Sequence, residues 1–255
     1  MGGHTSTGWA LVAITAVVML AGCASGGTSS ATSSGTLTPG QPHIYWAGES
    51  NIGAANLDGT GVHSDFIRGV DARGCGLAIV GTHIYWTLYD KASIGRANLD
   101  GSGVNENFIS NTVTPCGIAS DGTYLYWAHE HELDTRIARA NLDGTGVNAA
   151  FIDVANEPCM IAVDGKYIYW SNQAGGASAS SIGRANLDGT GANNAFIPGS
   201  YGACGIAVNG TYIYWANTGN TPDGTTIGRA NLDGTGVNQR FITDGIDPCG
   251  FAFDR

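Results

Sequence analysis

Positive charge is scarce in this chain and missing from its first quarter. Of 255 residues only 11 are Lys or Arg, against 21 Asp or Glu, and the first of the eleven is Arg68. A formal net charge of −10 leaves no basic stripe to follow a phosphate backbone, which speaks against nucleic acid as a partner. The carboxylates are spread rather than clustered, as on a solvated surface. Helix formers are thin as well: charged residues make up 13% while glycine reaches 40 residues, so strands and tight turns are expected. No apolar run has the length of an ordinary membrane-spanning helix.

The longest apolar run, Trp9 to Gly22, has fourteen residues, the length of a signal-peptide core. It ends in Leu20-Ala21-Gly22, directly before Cys23. That tetrad resembles the lipobox of bacterial lipoproteins. The resemblance implies that residues 1–22 are a signal peptide, that the Cys23 thiol receives a diacylglycerol group, and that the acylated, palmitate-bearing Cys23 becomes the new N-terminus. Met1 to Gly8 departs from the pattern in having no Lys or Arg, only His4. The alternative is a buried segment with a chance cysteine, but the adjoining segment offers it nothing to pack against. Residues 24–42 are nearly all Ser, Thr, Gly and Ala, ending in Pro39, Gly40 and Pro42, so 23–42 reads as lipidated cysteine and flexible tether. The expectation is a domain, residues 43–255, held by lipid on the outer side of a bacterial cell membrane.

That domain repeats itself. Tyr-Trp pairs end at Trp46, Trp86, Trp127, Trp170 and Trp215, at spacings of 40 to 45 residues, and Asn-Leu-Asp-Gly tetrads are centred on Leu57, Leu99, Leu142, Leu187 and Leu232. The fourth unit reads Cys159-Met-Ile-Ala-Val-Asp-Gly-Lys-Tyr-Ile-Tyr-Trp170, then Ile182-Gly-Arg-Ala-Asn-Leu-Asp-Gly-Thr-Gly191, then Phe196-Ile197. It parses into strands at Met160–Val163, Tyr167–Ser171, Ile182–Leu187 and Asn193–Ile197, with turns at Asp164-Gly165 and Asp188-Gly189. Four strands per period of this length make a propeller blade.

Alternation puts Tyr167 and Tyr169 on one face of the second strand and Ile168 and Trp170 on the other, so both faces carry apolar bulk. Blades stacked around an axis bury both faces, which makes the aromatics packing groups rather than a ligand platform. The first unit begins at its second strand, His43–Ala47, and the missing first strand recurs at the end as Cys249-Gly250-Phe251-Ala252-Phe253-Asp254. The sequence therefore predicts an all-β fold: a five-bladed β-propeller of four-stranded blades, its ring closed by the C-terminal strand.

Tyr-Trp followed by Ile-Gly-Arg-Ala-Asn-Leu-Asp-Gly resembles the YWTD, or low-density-lipoprotein-receptor class B, repeat over residues 43–255. The resemblance implies a propeller used in binding and scaffolding, usually six-bladed, so five blades is a departure. The family's Asp after Tyr-Trp-Thr is also replaced, by Gly48, Leu88, His129, Asn172 and Asn217, so no polar inter-blade network relying on that Asp is expected.

One cysteine recurs in every unit, at Cys75, Cys116, Cys159, Cys204 and Cys249, with Pro before three of them. First strands lie nearest a propeller's axis, so these thiols are expected to ring one end of the channel. With Cys23 lipidated, five thiols cannot all pair internally. One or two bridges stay possible though not expected, since Cα atoms must come within about 7 Å, and two further readings stay open: a thiolate ring that captures a soft metal such as Cu(I) or Zn(II), or small buried residues repeated by duplication and inert.

Variation concentrates between second and third strands, at Thr87–Ser93, His129–Thr135, Asn172–Ser181 and Asn217–Thr226, all on one face of the disc. His129-Glu130-His131-Glu132 is the sharpest of these, with two imidazoles on one side if the strand continues, enough to begin a metal site but not to finish one. A solvated polar loop is the plainer reading. The recurrent Asp-Gly-Thr/Ser-Gly segments, from Asp58, Asp100, Asp143, Asp188 and Asp233, are turns and match no calcium or phosphate loop. Arg96, Arg139, Arg184 and Arg229 share one repeat position and read as blade-packing residues.

No nucleophile beside a base stands out, and the near-identity of the units favours a symmetric scaffold. The leading expectation is a non-catalytic, membrane-anchored interaction module, needing no cofactor, that takes a protein, glycan or small ligand on its loop face. Metal capture by the repeat cysteines is the first alternative. The second is a metal-assisted hydrolase or lyase using His129, His131 and Glu132; streptogramin lyases are such propellers, an analogy of fold alone.

Overall fold

The computed structural model of the chain describes residues 36–38, 41–48, 50–70, 76–130, 135–153, 156–173, 180–218 and 225–243. Cys23 and the segment expected to be a signal peptide, Cys75, Cys249 with the strand expected to close the ring, and His131 and Glu132 lie outside them.

Five antiparallel sheets form a five-bladed β-propeller, with no helix among the described residues. The first blade contributes β1 (His43–Ala47), β2 (Asn51–Asn56) and β3 (His63–Arg68). The second has β4 (Leu77–Val80), β5 (His83–Leu88), β6 (Ser93–Asn98) and β7 (Asn105–Ser110), and the third β8 (Pro115–Ser120), β9 (Tyr124–His129), β10 (Ile137–Asn141) and β11 (Asn148–Ile152). The fourth has β12 (Pro158–Val163), β13 (Tyr167–Asn172), β14 (Ser181–Asn186) and β15 (Asn193–Pro198). The fifth has β16 (Ile206–Val208), β17 (Tyr212–Thr218), β18 (Thr225–Asn231) and β19 (Asn238–Ile242). Strands β4, β8, β12 and β16 pack in succession around the axis.

The expected strands of the fourth unit are present, but β12 starts two residues early, at Pro158, opposite Asn172. Proline is tolerated there because it opens the strand, and the register shifts between Pro158 and Ile161. The stretch read as tether also ends differently: Thr38 N–H donates to Asn56 Oδ1 at 2.9 Å, and Leu37, its one large apolar residue, packs on the first blade's core.

Alternation across the second strand sets the blade-to-blade contact. Tyr169 joins the cluster holding Ile213 and Trp215 of the next blade, while Trp170 joins the one holding Tyr126 of the preceding blade. Tyr85 meets Trp127 in the same way. Glycine opposite the tryptophan makes room for the indole: a Cβ on Gly183 would fall on the Trp170 ring.

Polar groups stitch the blades in register with this packing. Tyr45 and Tyr85 hydroxyls donate to the carbonyls of Leu99 and Leu142, each in the next blade, at 3.1 Å. Arg184 Nη1 reaches Leu232 O at 2.9 Å, and its guanidinium lies 3.8 Å from the Phe196 ring centre and 4.4 Å from that of Tyr167. Arg96, Arg139 and Arg229 stack on Phe108, Phe151 and Phe241.

Asparagine at the position of the family's Asp builds a polar network inside its own blade rather than between blades. Asn172 Nδ2 donates to Ser181 Oγ and Asn194 O, and its Oδ1 accepts from Asn156 N–H, at 3.0 Å each. Asn217 repeats this with Thr226, Gln239 and Tyr201. An amide both donates and accepts, so one side chain ties the outer strands to the segment leading into the inner strand.

Candidate functional site at the loop-bearing mouth

In the second to fifth blades the inner strand runs antiparallel to the second, so the start of one lies beside the end of the other. Pro115 sits opposite His129, and Pro158 opposite Asn172. Cys116, Cys159 and Cys204 and the ends of the second strands, from which the variable loops leave, therefore share one mouth of the channel.

The inner strands come unusually close there. A Cβ on Gly117 would lie 2.6 Å from Cys159 O and 2.6 Å from Met160 Cα, so only glycine allows this approach. The approach brings Cys116 Sγ and Cys159 Sγ to 3.8 Å, both buried. Cys116, Cys159 and the half-buried Cys204 are thiols rather than disulfides. Ser171 ties the rim together, accepting from Met160 N–H at 3.1 Å and donating to Cys204 O of the next blade at 2.9 Å.

The backbone before these cysteines is left-handed. Two residues upstream of each stand Thr114 (φ 31°), Glu157 (φ 50°) and Gly202 (φ 60°). Thr114 is β-branched, and both it and Glu157 precede proline, so neither favours this conformation. The end of the second strand clamps it. Glu130 N–H donates to Thr114 O and Thr114 Oγ1 to Glu130 O, both at 3.1 Å, while Tyr89 from the preceding blade donates to Glu130 O at 3.3 Å. Gln173 N–H holds Glu157 O in the same way at 3.1 Å.

These clamps fix Glu130, whose carboxylate comes within 4.8 Å of both sulfurs. Glu130 was visible in the sequence only as a spacer between two histidines. Of the loop residues read as a ligand site, His129 turns inward instead: its ring is buried and its Nε2 accepts from Trp127 Nε1 at 3.2 Å.

The opposite mouth differs in kind. It carries the Asp-Gly turns, in which Asp188 Oδ1 accepts from Thr190 N–H at 2.9 Å and from its hydroxyl at 2.6 Å, holding the carboxyl below its usual range. The five such aspartates are shifted alike by their Thr or Ser partners. An open cleft of about 560 Å³ lies on this side between the fourth and fifth blades, lined by Asp164, Lys166, Arg184 and Asp233. Its charged groups are already engaged: Arg184 stitches the blades, and Asp164 accepts from Tyr169 at 3.1 Å.

The fold has several solved counterparts. No family model and no curated protein matches the chain. Among solved structures it is similar to a chain of the nidogen/laminin complex, with 24% identity and a TM-score of 0.62 over 74% of this chain and 73% of that one. It is also similar to virginiamycin B lyase from Staphylococcus aureus, with 18% identity and a TM-score of 0.57 over 81% and 70%. A gluconolactonase from Xanthomonas campestris matches at 12% identity and a TM-score of 0.58 over 78% and 72%. At these identities the likeness is one of fold, and the named proteins include both a protein-binding assembly and enzymes.

Proposed function

We propose that this chain is an extracytoplasmic interaction scaffold, anchored to the cell membrane by lipid on Cys23, that takes a protein, glycan or small ligand at its loop-bearing mouth. One observation carries the reading: the repeated aromatic, Arg and Asp groups are consumed in stitching blades and closing turns, whereas the strand ends from which the repeat-breaking segments leave lie at one end of the channel. A scaffold is specialised where its repeats diverge. The nidogen/laminin complex, whose name pairs a protein with a protein, supports a macromolecular partner. His129 takes no part in chemistry on this reading, since its ring is engaged with Trp127.

Two experiments test the two halves. Metabolic labelling with a fatty acid marks the wild-type chain and not Cys23→Ser, which appears in the soluble fraction; label retained on Cys23→Ser removes the anchor from the account. A photo-crosslinking residue at position 89, on the loop-bearing mouth, captures a partner in intact cells, and the same residue at position 123, on the opposite mouth, does not. Capture from position 123 alone would place recognition on the wrong face.

A further inference from the structure

We propose that Cys116, Cys159 and Glu130 form a binding site for a Zn(II)-class metal at the rim of the channel, with the fourth coordination position left to water or a bound molecule. The site is narrower than a ring of five thiols: two adjacent inner strands supply the sulfurs and one loop supplies the oxygen.

Distance is the first argument. Two sulfurs each about 2.3 Å from a tetrahedral ion lie about 3.8 Å apart. Cys116 and Cys159 stand at 3.8 Å, against about 2.0 Å for a disulfide. Donor chemistry is the second. Two thiolates with one carboxylate suit a borderline ion, and the hard oxygen selects against Cu(I), which favours an all-soft set. Three protein ligands and one open position describe a reactive or exchangeable zinc site rather than a closed structural one.

Charge balance is the third. Zn(II) displaces one proton from each thiol, so two thiols and a carboxylate at −1 become two thiolates, a carboxylate and a dication, again −1. The buried sulfurs are thus ionised without adding net charge to the rim. Pre-organisation is the fourth. Gly117 sets the strand approach, and three hydrogen bonds fix the Glu130 backbone, from its own N–H to Thr114 and onto its carbonyl from Thr114 and Tyr89. The left-handed backbone at Thr114 and Glu157 is held beside the proposed site, where strained conformations are commonly retained for function.

The proposal is independent of what else the mouth binds, and its test needs only the metal. The full-length chain, reduced and stripped with chelator, is titrated with Zn(II) and separately with Co(II), with native mass spectrometry, proton release and absorbance as readouts. The expected result is one Zn(II) per chain, two protons released, and a Co(II) spectrum with thiolate charge-transfer and tetrahedral ligand-field bands. Binding persists when Cys75, Cys204 and Cys249 are all serine, disappears in Cys159→Ser and in Cys116→Ser, and weakens about tenfold or more in Glu130→Gln. Circular dichroism of the metal-free serine variants checks the fold, and either variant alone suffices. No bound zinc, binding that survives Cys159→Ser or requires the other three cysteines, or a Cys116–Cys159 disulfide in the chain recovered without reductant would each overturn the site. A Glu130→Gln variant that binds as tightly as wild type would overturn its three-ligand geometry.

Discussion

Trp127 Nε1 donates to His129 Nε2 across 3.2 Å, and both rings are buried. In the next two blades the same indole nitrogen finds its acceptor on the fourth strand, at Asn194 for Trp170 and at Gln239 for Trp215. The third blade has Ala149 at that position, which accepts nothing, and His129 stands in from the second strand. The most conspicuous histidine of the sequence is therefore a structural substitute.

His129→Ala leaves a buried indole N–H without its partner and is expected to lower stability by about 1–3 kcal/mol. Adding Ala149→Asn restores the acceptor used by the next blade and recovers part of the loss. Denaturant unfolding of the single and double variants checks both; a double variant no more stable than His129→Ala contradicts the equivalence.

Gly117→Ala is expected to cost about 1–3 kcal/mol, because the new methyl meets the backbone of the neighbouring inner strand rather than a side chain able to turn away. The same change separates the two sulfurs, so crosslinking of Cys116 to Cys159 by a short bifunctional thiol reagent should fall in parallel. A variant of wild-type stability would contradict the close packing.

Alkaline stability reports on the buried tyrosine hydroxyls held by aspartates of their own blades. Burial, with Asp121 beside Tyr126 and Asp164 beside Tyr169, raises both phenols above their usual value of 10.0. A raised folded-state value stabilises fully below the unfolded value and is lost as pH climbs through the folded one. Stability should therefore decline above about pH 10, and less steeply in Tyr126→Phe, as measured by unfolding at a series of pH values. An unchanged slope in that variant would contradict the assignment.

The acid side has the opposite sign. Asp188 and its four counterparts are lowered by hydroxyl and backbone donors, so their contribution is present above the usual carboxylate value and fades as pH falls through the depressed one. Thr190→Val removes one hydroxyl donor and should flatten the pH dependence of stability between roughly pH 5 and pH 2.

The repeat carried the fold into plain view, because the Tyr-Trp and Asn-Leu-Asp-Gly markers recur with one period and alternate with period two. Which residues share a mouth was also legible: antiparallel pairing alone places Cys116 beside His129. Glu130 was hidden, since extending strand alternation past His129 draws attention to His131, whereas the chain leaves the ladder at Glu130 to bond Thr114. The left-handed Thr114 and Glu157 ran against local preference, and only Gly202 at the equivalent position hinted at them. The network that Asn172 and Asn217 build inside their own blades was not legible, because it depends on amide donors that a carboxylate at that position lacks.

The claim that recognition belongs to the loop-bearing mouth is tested most directly by hydroxyl-radical footprinting of the chain in its native envelope against the purified chain. The account predicts protection at Tyr89, Glu130, Thr135 and Tyr201, with Thr123, Lys166 and Thr211 on the opposite mouth unchanged. Protection confined to Lys166 and Thr211, beside the cleft between the fourth and fifth blades, would contradict it.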